Sequence, residues 1–77
     1  MSIKIYTTTT CPWCVKTKQY LASKGVSYSE INVSLDRGAA KEMVEKSGQM
    51  GVPVLDIDGS IVVGFDKDKI DQLLNLR

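Results

Sequence analysis

Cys11 and Cys14 are the only two cysteines in the chain of 77 residues, and they stand three apart in Cys11-Pro12-Trp13-Cys14. On a helix, residues i and i+3 share one face. Two sulfurs so placed can bond when the first sits at the helix start, where the backbone can adjust. A purely structural disulfide would gain little here, because a loop this short leaves little chain entropy to remove. A structural zinc site needs four ligands, and two cysteines with no histidine do not supply them within one chain. The pattern points instead to thiol–disulfide exchange.

Exchange needs one thiolate to attack and a second thiol to resolve the mixed disulfide. Pro12 lacks an N–H and has a fixed φ, so it suits the first position of a helix. Cys11 is then the N-cap, and the helix runs through Cys14 towards Lys24. The first turn carries free N–H groups and partial positive charge, which favour a thiolate at Cys11. Cys11 is expected to attack. Cys14, deeper in the helix, is expected to resolve.

Those cysteines need a scaffold, and the chain is long enough for one domain over residues 1–77. At 43% hydrophobic and 25% charged residues, its composition is that of an ordinary globular domain. It holds no apolar run long enough to span a bilayer. No signal-peptide pattern precedes the first strand, so a cytoplasmic location is expected. A net charge of +1 gives no general attraction to nucleic acid. The distribution is more informative. Lys4, Lys16, Lys18 and Lys24 precede the first acid, Glu30, whereas Asp56, Asp58, Asp66, Asp68 and Asp71 crowd the other end. The basic half carries the cysteines, which favours a thiolate and would steer acidic partners.

Ile3, Ile5 and Thr7 alternate with Lys4, Tyr6 and Thr8, which predicts a strand with its β-branched residues on one side. The following threonines form its end and the loop into the helix; Thr10 is expected to continue that loop, the other reading being a hydroxyl bond near the Cys11 sulfur. Along the helix, Cys14 with Leu21 and Val15 with Ala22 make an apolar side, and Gly25 stops it. A strand is expected within Val26 to Val33, so strand–helix–strand forms a parallel pair. Ser34 or Asp36 caps a helix over about 36–47, with Ala39, Ala40, Met43 and Val44 inward. Val52 to Ile57 reads as a strand opened by Pro53. Asp58-Gly59 signals a hairpin into Ser60–Val63. Gly64-Phe65 breaks that strand, and Asp66 or Asp68 caps a last helix with Ile70, Leu73 and Leu74 inward. The expected order is β-α-β-α-β-β-α.

This chain resembles the glutaredoxins over nearly its whole length. The likeness rests on Tyr6, Cys11-Pro12-Trp13-Cys14, Val52-Pro53-Val54 and Gly64-Phe65-Asp66. It implies an α/β thioredoxin-like fold, a four-stranded mixed sheet flanked by three helices. It also implies a cis Val52-Pro53 bond facing the cysteines. Val52 would then offer its N–H and C=O to an extended substrate, in the manner of an added strand. Pro12, Trp13, Val52, Pro53, Gly64, Phe65 and Asp66 become the expected substrate or glutathione contacts, with Gly64 and Asp66 at a γ-glutamyl group.

The departures bear on the electron donor. Glutathione-using members usually carry Lys three residues before the first cysteine, where this chain has Thr8. They usually have Thr-Val-Pro, where Gly51-Val52-Pro53 stands here. Lys4, Lys16 and Arg37 are the candidate cations for a glutathione carboxylate. Thr17-Lys18 and Gly64-Phe65 are similar to the NrdH-redoxins, which draw electrons from thioredoxin reductase. Val63-Gly64-Phe65-Asp66 is also similar to small bacterial YruB-type proteins. The implied function is a monomeric dithiol oxidoreductase that acts on protein or small-molecule disulfides. It has no tightly bound cofactor and no metal, and uses neither nucleic acid nor membrane. Glutathione or a thioredoxin-reductase-type flavoenzyme recycles it. The alternatives are a glutathione-dependent iron–sulfur carrier and a non-catalytic binding module using the same cleft.

Overall fold

A computed structural model describes residues 2–74 of the chain. Seven elements follow in the expected order: β1 Ile3–Thr7, α1 Pro12–Ser23, β2 Ser29–Asn32, α2 Arg37–Ser47, β3 Val54–Ile57, β4 Ser60–Val63 and α3 Lys67–Leu74. The strands form one mixed sheet in the order β2-β1-β3-β4. β1 pairs parallel to β2, with Lys4 opposite Ser29 and Thr7 opposite Asn32. It pairs antiparallel to β3, with Ile3 opposite Ile57 and Tyr6 opposite Val54. β3 and β4 form the hairpin signalled by Asp58-Gly59, both residues at positive φ, 51° and 92°. That geometry matches the twist of the strands it joins.

The pleat divides the core into two clusters. Ile3 and Ile5 of β1, Leu55 and Ile57 of β3 and Val62 of β4 pack against Leu21 of α1 and Ile70 and Leu74 of α3. On the opposite face, Tyr6 and Val54 pack with Met43 of α2, flanked by Ile31, Val33, Val52 and Ile61. The sheet is therefore a middle layer, with α1 and α3 on one side and α2 on the other. Ile3 and Ile5 share one face of β1, as expected. As a central strand it is covered on both faces, and Tyr6 is as fully buried as Ile5.

Other boundaries also differ from expectation. The second strand begins at Ser29 rather than Val26, because the chain from Val26 is still closing α1: the Val26 N–H bonds to the Leu21 carbonyl at 3.1 Å. The third strand starts at Val54, after the proline. In α1, Val15 and Ala22 are exposed, and Thr17 takes the inward place between Cys14 and Leu21. Pro12 sets the helix start and hence its phase, so positions three and seven after Cys14 face the sheet. Thr17 survives burial because its hydroxyl donates to the Trp13 carbonyl at 2.7 Å. Asp36 caps α2 by accepting the Ala39 N–H at 3.0 Å, and Gly48 closes it at φ 76°.

Beneath α2 lies a polar cluster. Lys46 reaches Asp56 at 2.7 Å and Glu42 at 2.8 Å, and the Tyr6 hydroxyl donates to Glu42 at 3.0 Å. Asp56 also accepts the Gly59 N–H at 2.8 Å, so this buried carboxylate helps shape the hairpin turn. The Lys46 hydrogen bond, chiefly, holds the Asp56 carboxyl below its ordinary value.

Candidate functional site

The site lies where β1 hands over to α1. The intervening loop is tied to the β2 end: the Val33 N–H donates to the Thr7 carbonyl at 2.8 Å, and the Asn32 amide donates to the Thr9 hydroxyl at 3.3 Å. Cys11 follows in an extended conformation, φ −142° and ψ 98°, as the N-cap of α1, with Pro12 in the first turn. Its sulfur accepts the Cys14 N–H at 3.1 Å and its carbonyl accepts the Val15 N–H at 3.2 Å. A side chain at this position normally satisfies such an orphan donor through oxygen; here sulfur does so. Thr10 is exposed, and the donor to the Cys11 sulfur is the Cys14 backbone.

Cys11 and Cys14 are joined by a disulfide, with Cα atoms 5.2 Å apart. Their surroundings differ sharply. Cys14 is 1% exposed against the sheet, whereas Cys11 is only half-buried. Cys11 keeps part of its surface exposed, whereas Cys14 keeps almost none.

A cleft of about 280 Å³ is lined by Trp13, which lies between the two cysteines in the chain, and by Val52, Pro53, Gly64 and Phe65. Five of the expected contacts thus converge on one cavity. The Val52-Pro53 bond is cis. Gly64, at φ 76°, donates its N–H to the Pro53 carbonyl at 2.8 Å, fastening the end of β4 to the proline loop. Among the described residues, no turn, loop, cap or side-chain hydrogen bond uses the Val52 N–H or C=O. The two remaining expected contacts do not line the cleft. Pro12 is exposed in the first turn of α1. Asp66 caps α3, its carboxylate accepting the Lys69 N–H at 3.1 Å.

The cleft wall extends further than the motif residues. Trp13 and Phe65 have ring centroids 6.5 Å apart, and Phe65 meets Tyr20 edge-on at 5.6 Å. The Tyr20 hydroxyl donates to Asp71, and this bond, with partial burial, raises the phenol's pKa while lowering that of Asp71. Lys16 lies over the Trp13 ring, its Nζ 4.5 Å from the centroid. Tyr20 was absent from the sequence reading; its signal was its place seven residues after Trp13 on the same helix face.

This geometry has known counterparts. The family model described as Glutaredoxin matches residues 3–62. The chain belongs to the glutaredoxin family. It is 54% identical over 72 residues to a glutaredoxin-like 8.6 kDa protein in the rubredoxin operon of Clostridium pasteurianum, covering 94% of this chain and 96% of that one. Glutaredoxin 3 of Escherichia coli K12 is 38% identical over 65 residues, 84% of this chain and 78% of the relative. Among solved structures, the thioredoxin-like protein BC3987 superposes with a TM-score of 0.87 at 35% identity, covering 94% and 99% of the two chains. The glutaredoxin-like protein NrdH-redoxin from Escherichia coli superposes at 0.85 with 32% identity, covering 95% of each. The four-stranded mixed sheet with three helices is thus the thioredoxin/glutaredoxin fold, and this glutaredoxin-like protein is a thiol–disulfide oxidoreductase with an active-site cysteine pair. Among the described residues, no helix is long and apolar enough to cross a membrane.

Proposed function

We propose that this glutaredoxin-like protein is a dithiol reductant in which Cys11 attacks and Cys14 resolves. The observation that carries the assignment is the asymmetry of the pair: Cys11 is accessible at the N-cap, whereas Cys14 is buried at 1% exposure. In the reduced protein the Cys11 thiolate attacks one sulfur of a substrate disulfide. That bond breaks, the leaving sulfur takes a proton from solvent, and a mixed disulfide remains on Cys11. Cys14 then loses its proton and attacks the Cys11 sulfur. The Cys11–Cys14 bond forms and the second substrate thiol leaves, so two electrons have passed to the substrate.

The cleft would hold the substrate chain during this exchange. Val52 stands two residues before β3, with its N–H and C=O outside the contacts named above, as required for pairing with an extended segment. Trp13 and Phe65 supply apolar walls, and Gly64 keeps the approach open because it has no side chain. Asp66 follows the cleft residue Phe65 and would offer its charge to an amino group, as in a γ-glutamyl moiety, while its cap bond holds it in place.

Glutathione or a thioredoxin-reductase-type flavoenzyme would return the electrons. A coupled NADPH assay with one disulfide substrate assigns the donor, run once with glutathione and glutathione reductase and once with thioredoxin reductase. Turnover in either system supports the dithiol reading, and Cys11→Ser should abolish it. Full activity retained in Cys11→Ser would overturn the role given to that residue.

A further inference from the structure

The lysines of the fold are not equivalent. Lys18 pairs with Glu30, Lys46 with Glu42 and Asp56, and Lys67 with Asp71. Lys16 has no acidic partner among the described residues, and its contact is the face of Trp13 at 4.5 Å. A cation over an indole face is held there by the ring quadrupole. Trp13 is 55% exposed and forms one wall of the cleft. The ammonium is therefore held against a residue that lines the cleft, with no acidic partner among the described residues, on a helix that contains no acid.

We propose that Lys16 is a specificity-determining residue that favours disulfides flanked by a carboxylate. This rests on the dithiol reading above and adds the class of substrate it prefers. A carboxylate next to the substrate cysteine would meet the Lys16 ammonium while the substrate sulfur meets Cys11. The indole keeps the lysine chain from ranging through solvent, so less side-chain entropy is lost when the pair forms. Two sources carry this chemistry: an acidic residue beside a cysteine in a protein, and the glycine carboxylates of glutathione disulfide.

The test follows oxidation of the reduced protein by mixing it with disulfide probes and reading the Cys11–Cys14 bond by mass spectrometry. The first pair of probes is a short disulfide peptide with Glu beside each cysteine and the same peptide with Gln. The second pair is glutathione disulfide and its glycine ester. At low salt the acidic probe should react about fivefold faster, the scale of an exposed ion pair, and about 0.5 M salt should erase the difference. Lys16→Gln should bring the ratio near unity, and Lys16→Arg should restore it, since arginine also stacks on indole. Lys24→Gln removes the same charge at the far end of α1, over Tyr20, and should leave the ratio intact.

A Lys16-dependent ratio in the peptide pair supports a protein source, and one in the glutathione pair supports the small molecule. No preference in either pair, or a preference that Lys24→Gln abolishes equally, overturns the proposal. Reduction of the neutral peptide without any preference leaves the dithiol reading standing and removes only the role of Lys16. Failure to reduce any probe removes both.

Discussion

At the residue scale, one N–H distinguishes the two sulfurs. The Cys14 N–H points at the Cys11 sulfur at 3.1 Å, at the positive end of α1. In the reduced protein that donor stabilises a thiolate and does little for a thiol. Reduced Cys11 should therefore alkylate with iodoacetamide at a midpoint below the free-thiol value of about 8.5. Cys14 should label slowly throughout, being enclosed by the sheet. Peptide mapping of the alkylated protein across a pH series reads both. The thiolate and proline arguments came directly from Cys11-Pro12-Trp13-Cys14, because capping is local and depends on residue type. The inward place of Thr17 did not, because a polar residue reads as surface until its hydroxyl is seen bonded to the Trp13 carbonyl.

At the element scale, the cleft depends on how β4 ends. Gly64 adopts φ 76°, a region costly for any residue with a Cβ, and its N–H fastens to Pro53. A Cβ added there would meet nothing within 4 Å, so the cost of Gly64→Ala is conformational rather than steric. That variant should lose about 1–2 kcal/mol in urea unfolding and should slow disulfide reduction by loosening the Pro53 loop. Asp36→Ala, which removes the α2 cap on the opposite face, should cost about 1 kcal/mol with little change in reduction rate. The hairpin at Asp58-Gly59 was legible because turn chemistry is local. The start of β2 was not: Val26 looks like a strand residue, but it is spent on closing α1. The cis Val52-Pro53 bond came only through family resemblance, since an X–Pro bond has no local sequence mark for cis.

At the scale of the whole molecule, the site sits on a sheet whose other face hides a charged cluster. Asp56 is 9% exposed, and Lys46, with Gly59, depresses its carboxyl pKa in the folded state. Its contribution to stability is therefore present above the unfolded value of about 3.9 and is lost as pH falls through the lower folded value. Asp56→Asn should destabilise the protein by about 1–2 kcal/mol at neutral pH. It should also flatten the acid limb of a stability curve measured by urea unfolding between neutral pH and acid. This cluster was hidden in a sequence whose acids read as solvated surface. Only the pairing of β3 inside the sheet brings Asp56 under Lys46. The element order was legible because apolar periodicity and turn residues are local. The double covering of β1 was not, because the strand order β2-β1-β3-β4 is a property of the assembled sheet.

The most direct test of the account is a trapping experiment with Cys14→Ser. The variant is reduced, mixed with a peptide disulfide, quenched with acid and mapped by mass spectrometry. A mixed disulfide on Cys11 should accumulate, since the resolving thiol is gone, and Cys11→Ser under the same conditions should form almost none on Cys14. Rapid adduct formation on Cys14 in Cys11→Ser, or no adduct on Cys11 in Cys14→Ser, would contradict the assignment of attack to Cys11.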